Sequence, residues 1–348
     1  MRILVLNGGS STLKTAVIDT ATGETTALRT DPWDGDRQAI ARRVIGELSE
    51  LAIEAVGHRV VHGGTKFVEP VLVDDAVLDE LHAMGDFAPL HNRVAVELVR
   101  VARGALPDVP NVCCFDTGFH ATLTEAARRY PVPEAWAAWG IRRFGFHGLS
   151  VEWSVSRAAE LLGGRPESIS LVVAHLGSGC SVTAVRKGRS AWTSMGFTPL
   201  EGLMMGSRSG SIDPGIIIFL LRSGRIQLSD LEDALERRSG LLGISGVSAD
   251  MQDVRVASDA GNAQATLAVD MFVARAAEAI AAAMTWVSTE AIVFTGGIGE
   301  HDGRTRDAIC ARLGSGWGTK AAPVLVIQAR EDLVIANAAA SLLTGGRD

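Results

Sequence analysis

Much that would make a sequence easy to classify is missing here. Cysteine is scarce in the 348 residues: Cys113, Cys114, Cys180 and Cys310, two of them adjacent and none in a CxxC or Cys/His spacing. That argues against a structural zinc and for reduced thiols in a cytoplasmic protein. Positive charge is not in excess, 33 basic against 40 acidic residues giving a net charge of −7. Neither a nucleic acid nor a membrane is therefore expected as a partner, and any anion must be met by a few focused cations. No long apolar run survives: the stretch 269–287 is interrupted by Arg275 and Glu278, and Met1 and Arg2 lead into ILVLN with no signal-peptide pattern of basic region and cleavage site. Neither a Walker A sequence nor GxGxxG occurs, which removes the usual P-loop and dinucleotide readings. No low-complexity or Pro/Ser-rich linker marks a boundary between domains.

What is present points to two domains. The chain exceeds what one hydrophobic core usually supports, and 47% hydrophobic residues can fill two. Strand-like ILVLN, HRVVH, NVCCF, LVVAHL, SVTAV and AIVFTGG alternate with helical periodicity over 37–53, 92–104, 150–162, 264–287 and 332–343, an α/β pattern. The boundary comes from a duplication. NGGSSTLKTAV (7–17) returns as HLGSGCSVTAV (175–185), with Gly9, Ser10, Thr15, Ala16 and Val17 matched by Gly177, Ser178, Thr183, Ala184 and Val185. Two strand–turn–strand units imply two similar domains facing across a cleft. At each turn Gly and Ser stand where backbone N–H groups and hydroxyls can form an anion-binding nest. A third turn, TGGIGE (295–300), follows AIVF and has the glycines that permit close approach to a nucleotide. Three such turns on paired domains indicate an actin-like phosphotransferase or ATPase clamp.

The middle of the chain concentrates polar residues among apolar ones: GHRVVHGG, APLHN, CFDTGFH, FGFHG and GLMMGSRSGSIDPG. Arg59 lies between apolar strand residues and needs an anion, either a protein carboxylate or a phosphoryl or substrate carboxylate group. Arg208 is flanked by Gly206, Ser207, Ser209 and Gly210, which suits close approach to a ligand. His147, between Phe146 and Gly148, is either a satisfied structural histidine or a site residue. Asp116, at a strand end, could orient a nucleophile, hold a metal through water, or cap the next helix. Met204, Met205 and Trp192 are read as packing residues.

Taken together, NGGSSTLK, HRVVHGG, FDTGFH, GFHG and TSMGFTPLEGLMMGSRSG resemble, in order and along nearly the whole chain, the acetate kinase family of acyl-phosphate-forming kinases. The match continues through TGGIGE and EDLVIA. The resemblance implies two ribonuclease-H-like (actin-like ATPase) domains, the first formed by 1–119 and completed by 331–348, the second by 120–330 with the nucleotide site and the homodimer interface. It implies reversible, Mg2+- or Mn2+-dependent phosphoryl transfer from ATP to a short-chain carboxylate, acetate or propionate, giving acyl phosphate and ADP. Asn7 and Glu331 would hold the metal, with Ser10, Thr12 and Lys14 at the first phosphate turn. Arg59 and Arg208 match the pair flanking the transferred phosphoryl group, His147 its hydrogen-bond donor, and Asp116 the carboxylate that orients the acid. Val61, Leu90, Phe146 and Pro199 match the pocket for the acid's alkyl group, and His91 and His175 two further site histidines. Gly177, Ser178, Gly179, Asp250, Gln252, Gly297, Ile298 and Gly299 fall at the nucleotide positions.

The sequence departs from the family pattern in places. Ser178 stands where Asn is usual, Ser211 for Asp, His301 for Asn, and Gln252 for Arg, and the stretch between Asp19 and Gly57 is short. The Gln252 change weakens the expected nucleotide contact: Arg255 could substitute, or the donor could be pyrophosphate. Butyrate as acceptor and a non-transferring nucleotide clamp are the competing readings.

Overall fold

A computed structural model describes residues 1–9, 12–33, 35–84, 89–314 and 322–345, leaving aside the side chains of 89–91. The chain divides into two compact units: Met1–Ala121 with Phe146–Trp153 and Arg330–Asp348, and Thr122–Gly145 with Ser154–Ala329.

The first unit is built on a six-stranded sheet in the order β3-β2-β1-β4-β6-β5. Its strands are β1 (Arg2–Gly8), β2 (Thr12–Asp19), β3 (Glu24–Pro32), β4 (Ala55–Val60), β5 (Val71–Leu72) and β6 (Asn111–Phe115). β1 to β3 form an antiparallel meander, and β4 and β6 run parallel to β1. β1 is central, and its apolar run is buried on both faces as such a strand requires. Leu4 and Leu6 pack on one side with Val44 and Ile45 of the helix Arg37–Ser49 and Val94 and Leu98 of the helix Pro89–Ala105. Ile3 and Val5 face the other side, against Leu149 and against Ile335, Ala336 and Ala339 of the helix Glu331–Thr344. The period-two alternation of the strand thus feeds two separate apolar layers.

The second unit has five strands in the order β11-β10-β7-β8-β9: β7 (Leu171–Leu176), β8 (Cys180–Arg186), β9 (Arg189–Thr193), β10 (Ala291–Thr295) and β11 (Val324–Val326). Here too a meander is followed by strands parallel to the first, so β7-β8-β9-β10-β11 repeats the plan of β1-β2-β3-β4-β6. The long helix Ala263–Met284 starts where Asn262 accepts the N–H groups of Gln264 and Ala265, and it buries Ala265, Val269, Phe272, Val273, Ala276 and Ile280 at helical spacing. The expected α/β class and the duplication are both present at the level of strand order. Edge strands β3, β9 and β11 and the two-residue β5 had no signal in the sequence reading.

Among the described residues no helix is long and apolar enough to cross a membrane.

Candidate active site

In the first unit strand parity assembles the site. Val5 pairs with Gly57, and Arg59 with Cys114. Asn7, Arg59 and Asp116 each lie two residues further on from Val5, Gly57 and Cys114, so all three emerge on one face at the carboxyl ends of the parallel strands. That face is the one covered by the helix Glu331–Thr344. Gly57 lets the helix sit close, since a β-carbon there would stand 2.5 Å from Ile335 Cγ2. One helical turn before Ile335, Glu331 then reaches the strand ends.

The result is a charged network. Arg59 donates through Nε and Nη2 to the two Asp116 carboxylate oxygens at 2.9 and 2.5 Å, and through Nη1 to Asn7 Oδ1 at 3.2 Å. Asn7 Nδ2 donates to Glu331 Oε2 at 3.2 Å, and Arg59 Nε lies 3.4 Å from the same carboxylate. Burial works against the Arg59 cation, but Asp116 and Glu331 together more than offset it and keep it charged. Burial pushes the Asp116 carboxyl up to about 6, Arg59 pulls it back, and the Glu331 carboxylate adds to the rise. The backbone N–H of His147 also donates to the Asp116 carboxylate. His147 has φ 60°, a left-handed conformation rare for a non-glycine residue, and follows Gly145 at φ 76°. A β-carbon on Gly148 would overlap the Asp116 carbonyl oxygen, which accepts the Gly148 N–H at 2.8 Å. The GFHG turn is thereby fastened to Asp116 from both sides.

Phe146 is fully buried, its carbonyl hydrogen-bonded to His120 Nε2 at 3.0 Å and its ring edge-on to His62 at 5.6 Å. Val61 follows β4 and is half-buried. Lys14 pairs directly with Asn7 across the β1–β2 hairpin, which puts both side chains on one face, and Gly9 N–H closes the turn on the Thr12 carbonyl at 2.8 Å. Ser10 lies outside the described residues, as do the side chains of Leu90 and His91.

The second unit gathers the other candidates by backbone rather than charge. His175, one residue before the end of β7, pairs with Thr295 of the parallel β10, so the turns 177–179 and 296–299 leave the sheet together. A β-carbon on Gly177 would lie 3.7 Å from Gly297 N, and one on Gly296 would lie 3.2 Å from His175 Nε2. Ser178 is exposed, and its carbonyl accepts the Gly206 N–H at 3.1 Å. Gly206 in turn has no room for a side chain against the Ala249 carbonyl, 2.8 Å from a β-carbon there. Arg208 Nη1 donates to the Pro199 carbonyl at 2.7 Å. Gly179 completes the first turn by accepting the Gly177 N–H at 3.0 Å, and Ile298 and Gly299 continue the second into the helix Gly296–His301.

Two further expected nucleotide residues lie at the start of a helix. The Asp250 carboxylate caps its helix by accepting the Gln252 N–H at 2.7 Å, and the Gln252 side chain is exposed. Arg255, the candidate substitute for the missing arginine, is tied to Asp302 and Thr305, each at 2.6 Å. Of the other departures, the Ser211 hydroxyl accepts the Gly202 N–H at 3.1 Å and His301 is exposed. Sequence reading missed Glu300, whose carboxylate accepts the N–H groups of Gly296 and Ala329, both at 2.9 Å, and fixes the third turn. It also missed the Tyr130–Arg143–Glu201 cluster taken up below. The run IRRFGF, with two arginines among apolar residues, was the available signal.

A repeated sheet of this strand order with glycine-rich turns at the strand ends defines an actin-like ATPase fold. The chain belongs to the acetokinase family, whose model matches residues 38–342. It is 41% identical over 403 aligned positions to an acetate kinase from Synechococcus sp., covering 99% of this chain and 100% of the relative. That length exceeds the 348 residues here, so the relative carries insertions this chain lacks. Among solved structures, a propionate kinase from Francisella tularensis superposes with TM-score 0.90 at 33% identity, covering 97% of this chain and 98% of the other. The Porphyromonas gingivalis acetate kinase gives 0.87 at 30%, covering 98% and 99%.

Proposed function

We propose that the protein is an acetate kinase, transferring the terminal phosphoryl group of ATP to acetate, or to propionate, and running reversibly from acyl phosphate and ADP. The observation that carries this reading is the convergence of Asn7, Arg59, Asp116 and Glu331 on one face of the first sheet, in a chain of the acetokinase family. A nucleotide clamp has no need of such a buried charge network. A carboxylate is already a competent nucleophile, so no strong base is required; the task is to bring two anions together and spread the charge of a loose transition state. Arg59 and Arg208 serve the phosphoryl oxygens and His147 donates a hydrogen bond to them. Asp116 orients the acid by holding Arg59 in a fixed fork, and Val61, Leu90, Phe146 and Pro199 receive its alkyl group. Ser10, Thr12, Lys14 and His175, with the turns at Gly177 to Gly179 and Gly297 to Gly299, take the phosphates, and Asp250 and Gln252 serve the nucleoside.

A magnesium or manganese ion belongs to this reading. Asn7 and Glu331 offer oxygen donors, a hard set suited to an ion that keeps several waters and is held mainly by phosphates. No group of three or more His, Cys, Asp or Glu side chains that could cage a metal occurs among the described residues, which fits an ion arriving with its nucleotide. When bound it would neutralise phosphate charge.

The helix Pro214–Arg222 supports a homodimer. Its sequence is PGIIIFLLR, it buries none of its residues, and Ile218 and Phe219 are 55% and 57% exposed. A second copy is the partner that would cover it, and Phe219→Glu should shift the protein to monomer in analytical ultracentrifugation. A pyrophosphate donor is the alternative favoured by the exposed Gln252 and the committed Arg255. Incubating the protein with magnesium, ATP and acetate, propionate or butyrate, and trapping acyl phosphate with hydroxylamine, tests the main reading. Product with pyrophosphate and none with ATP would replace it, and nucleotide binding without product would leave a clamp.

A further inference from the structure

Arg208 donates through Nη1 to the Pro199 carbonyl at 2.7 Å, so a shift of Pro199 carries to the guanidinium. Pro199 sits in the segment 193–201, and three side chains from outside or at the end of that segment grip it. Tyr130, the sole tyrosine of the chain, donates its hydroxyl to the Glu201 carboxylate and accepts the Phe197 N–H at 2.8 Å. Arg143 donates through Nη2 to Glu201 Oε1 at 2.7 Å. Its Nη1 meets the carbonyl oxygens of Thr193, Ser194 and Met195 at 3.1, 3.0 and 2.8 Å. The guanidinium lies over the Tyr130 ring, 5.4 Å from its centroid. A β-carbon on Gly196 would overlap both the Tyr130 hydroxyl and the Glu201 carboxylate, and the Gly196 carbonyl accepts the N–H groups of Phe144 and Gly145 at 3.0 and 3.3 Å.

The grip continues into the arginine's own loop. Gly202, next to Glu201, exchanges hydrogen bonds with Ser211, its N–H to the hydroxyl at 3.1 Å and its carbonyl from the Ser211 N–H at 2.9 Å. The two ends of the loop that presents Arg208 are thereby closed on each other beside Glu201. A carboxylate held by a phenol and a guanidinium has few alternative positions, and fixed dipoles of this sort cost no reorganisation when charge moves nearby.

We propose that Tyr130, Arg143 and Glu201 are positioning residues: a brace that aims the Arg208 guanidinium through Pro199 and, by fixing Pro199, sets the discrimination between acetate and propionate. This rests on the reading that Arg208 and Pro199 serve the phosphoryl group and the acid. It goes beyond that reading in assigning aim and selectivity to side chains that touch neither substrate.

The test uses Tyr130→Phe, which removes one oxygen, and Glu201→Gln, which keeps the shape of the carboxylate, alongside Arg208→Ala. Each is assayed for kcat, for the KM of ATP, and for the ratio of kcat/KM with acetate to that with propionate, well below its own melting temperature. An arginine displaced by a fraction of an ångström to an ångström loses rate steeply, so kcat should fall about 10- to 100-fold in both brace variants. The KM of ATP should stay within about twofold, and the acetate-to-propionate ratio should change by about threefold or more. A brace with a purely structural role would lower the melting temperature and leave that ratio unmoved. If Arg208→Ala loses kcat while folded Tyr130→Phe and Glu201→Gln keep both wild-type kcat and ratio, the brace is overturned. If Arg208→Ala itself keeps kcat, the underlying reading of Arg208 fails instead. Should either brace variant fail to fold, the other decides.

Discussion

The two units share a strand order and differ in what holds their turns. In the first, the strand ends carry Asn7, Arg59 and Asp116, and a helix brings Glu331 to them, so charge fixes the geometry. In the second, the turn at Gly177 is held where the Ser178 carbonyl accepts the Gly206 N–H, and the turn at Gly296 where the Glu300 carboxylate accepts its N–H at 2.9 Å. The hairpins differ too: Gly8 pairs with Leu13 in one and Leu176 with Cys180 in the other, so the first turn is a residue longer. One scaffold used twice presents a charged network at the strand ends of one unit and closely packed glycine turns at those of the other. The same copy could not easily do both, because a buried cation needs side-chain partners where a backbone nest needs empty space.

Removing a charge from the first unit should break the contrast most visibly. Asp116→Ala leaves Arg59 without its fork, and a loss of about 3 to 5 kcal/mol in urea denaturation is expected; a loss below about 1 kcal/mol would mean that Glu331 and solvent already suffice. Next come the arginines. Arg59→Ala and Arg208→Ala should each lower kcat about 100- to 1000-fold with both variants folded. Their lysine versions sharpen the comparison: Arg59→Lys loses a two-pronged grip on Asp116, while Arg208→Lys can still reach one carbonyl, so Arg208→Lys should retain several-fold more activity. Equal losses would mean that the two-pronged grip on Asp116 adds nothing beyond a single positive charge.

The first unit also carries a buried histidine whose contribution to stability should be lost in acid. His58 is buried, and burial lowers it to about 4 although its Nε2–H donates to Asn111 Oδ1 at 2.7 Å. An unfolded histidine takes a proton near 6.5, so stability is fully present above that pH and is lost as pH falls toward 4, by at most on the order of 3 kcal/mol. The raised Asp116 carboxyl works in the opposite sense, gaining stability as pH falls through about 6, so the His58 loss is read as the difference between wild type and His58→Gln in urea titrations at pH 7 and pH 5. The smallest effect separates the two hairpins. A β-carbon on Gly9 would press on the Thr12 carbonyl at 3.1 Å, whereas one on Gly177 meets nothing closer than 3.5 Å. Gly9→Ala should therefore lower stability by about 1 kcal/mol, and Gly177→Ala should leave the melting temperature alone while raising the KM of ATP.

Much of this was legible beforehand for a definite reason. β6 and β7 are buried runs that end abruptly, so their bounds could be read directly, as could Asp116 just beyond β6; the strand read as AIVFTGG ends two residues earlier, at Thr295, where Gly296 and Gly297 open a helix. Arg59 was legible as a cation among apolar neighbours that must have an anion. β3 was not, because its exposed, alternating ETTALRTDP looks like a polar connection, and three-residue β11 is too short to show a period. Gln252 was flagged as a lost contact, but the engagement of Arg255 by Asp302 depends on a pairing 47 positions away that no local pattern contains.

By itself the sequence determined the α/β class, the duplication, the family and the residue types available for phosphoryl transfer, because burial periodicity and rare polar residues are local properties of the chain. Only the tertiary structure decided that the C-terminal helix delivers Glu331 onto the Asn7–Arg59–Asp116 face through the space left at Gly57, and that Tyr130 and Arg143 close on Glu201. Those are contacts among residues far apart in sequence, set by how closely elements can approach and by which buried charges must find partners.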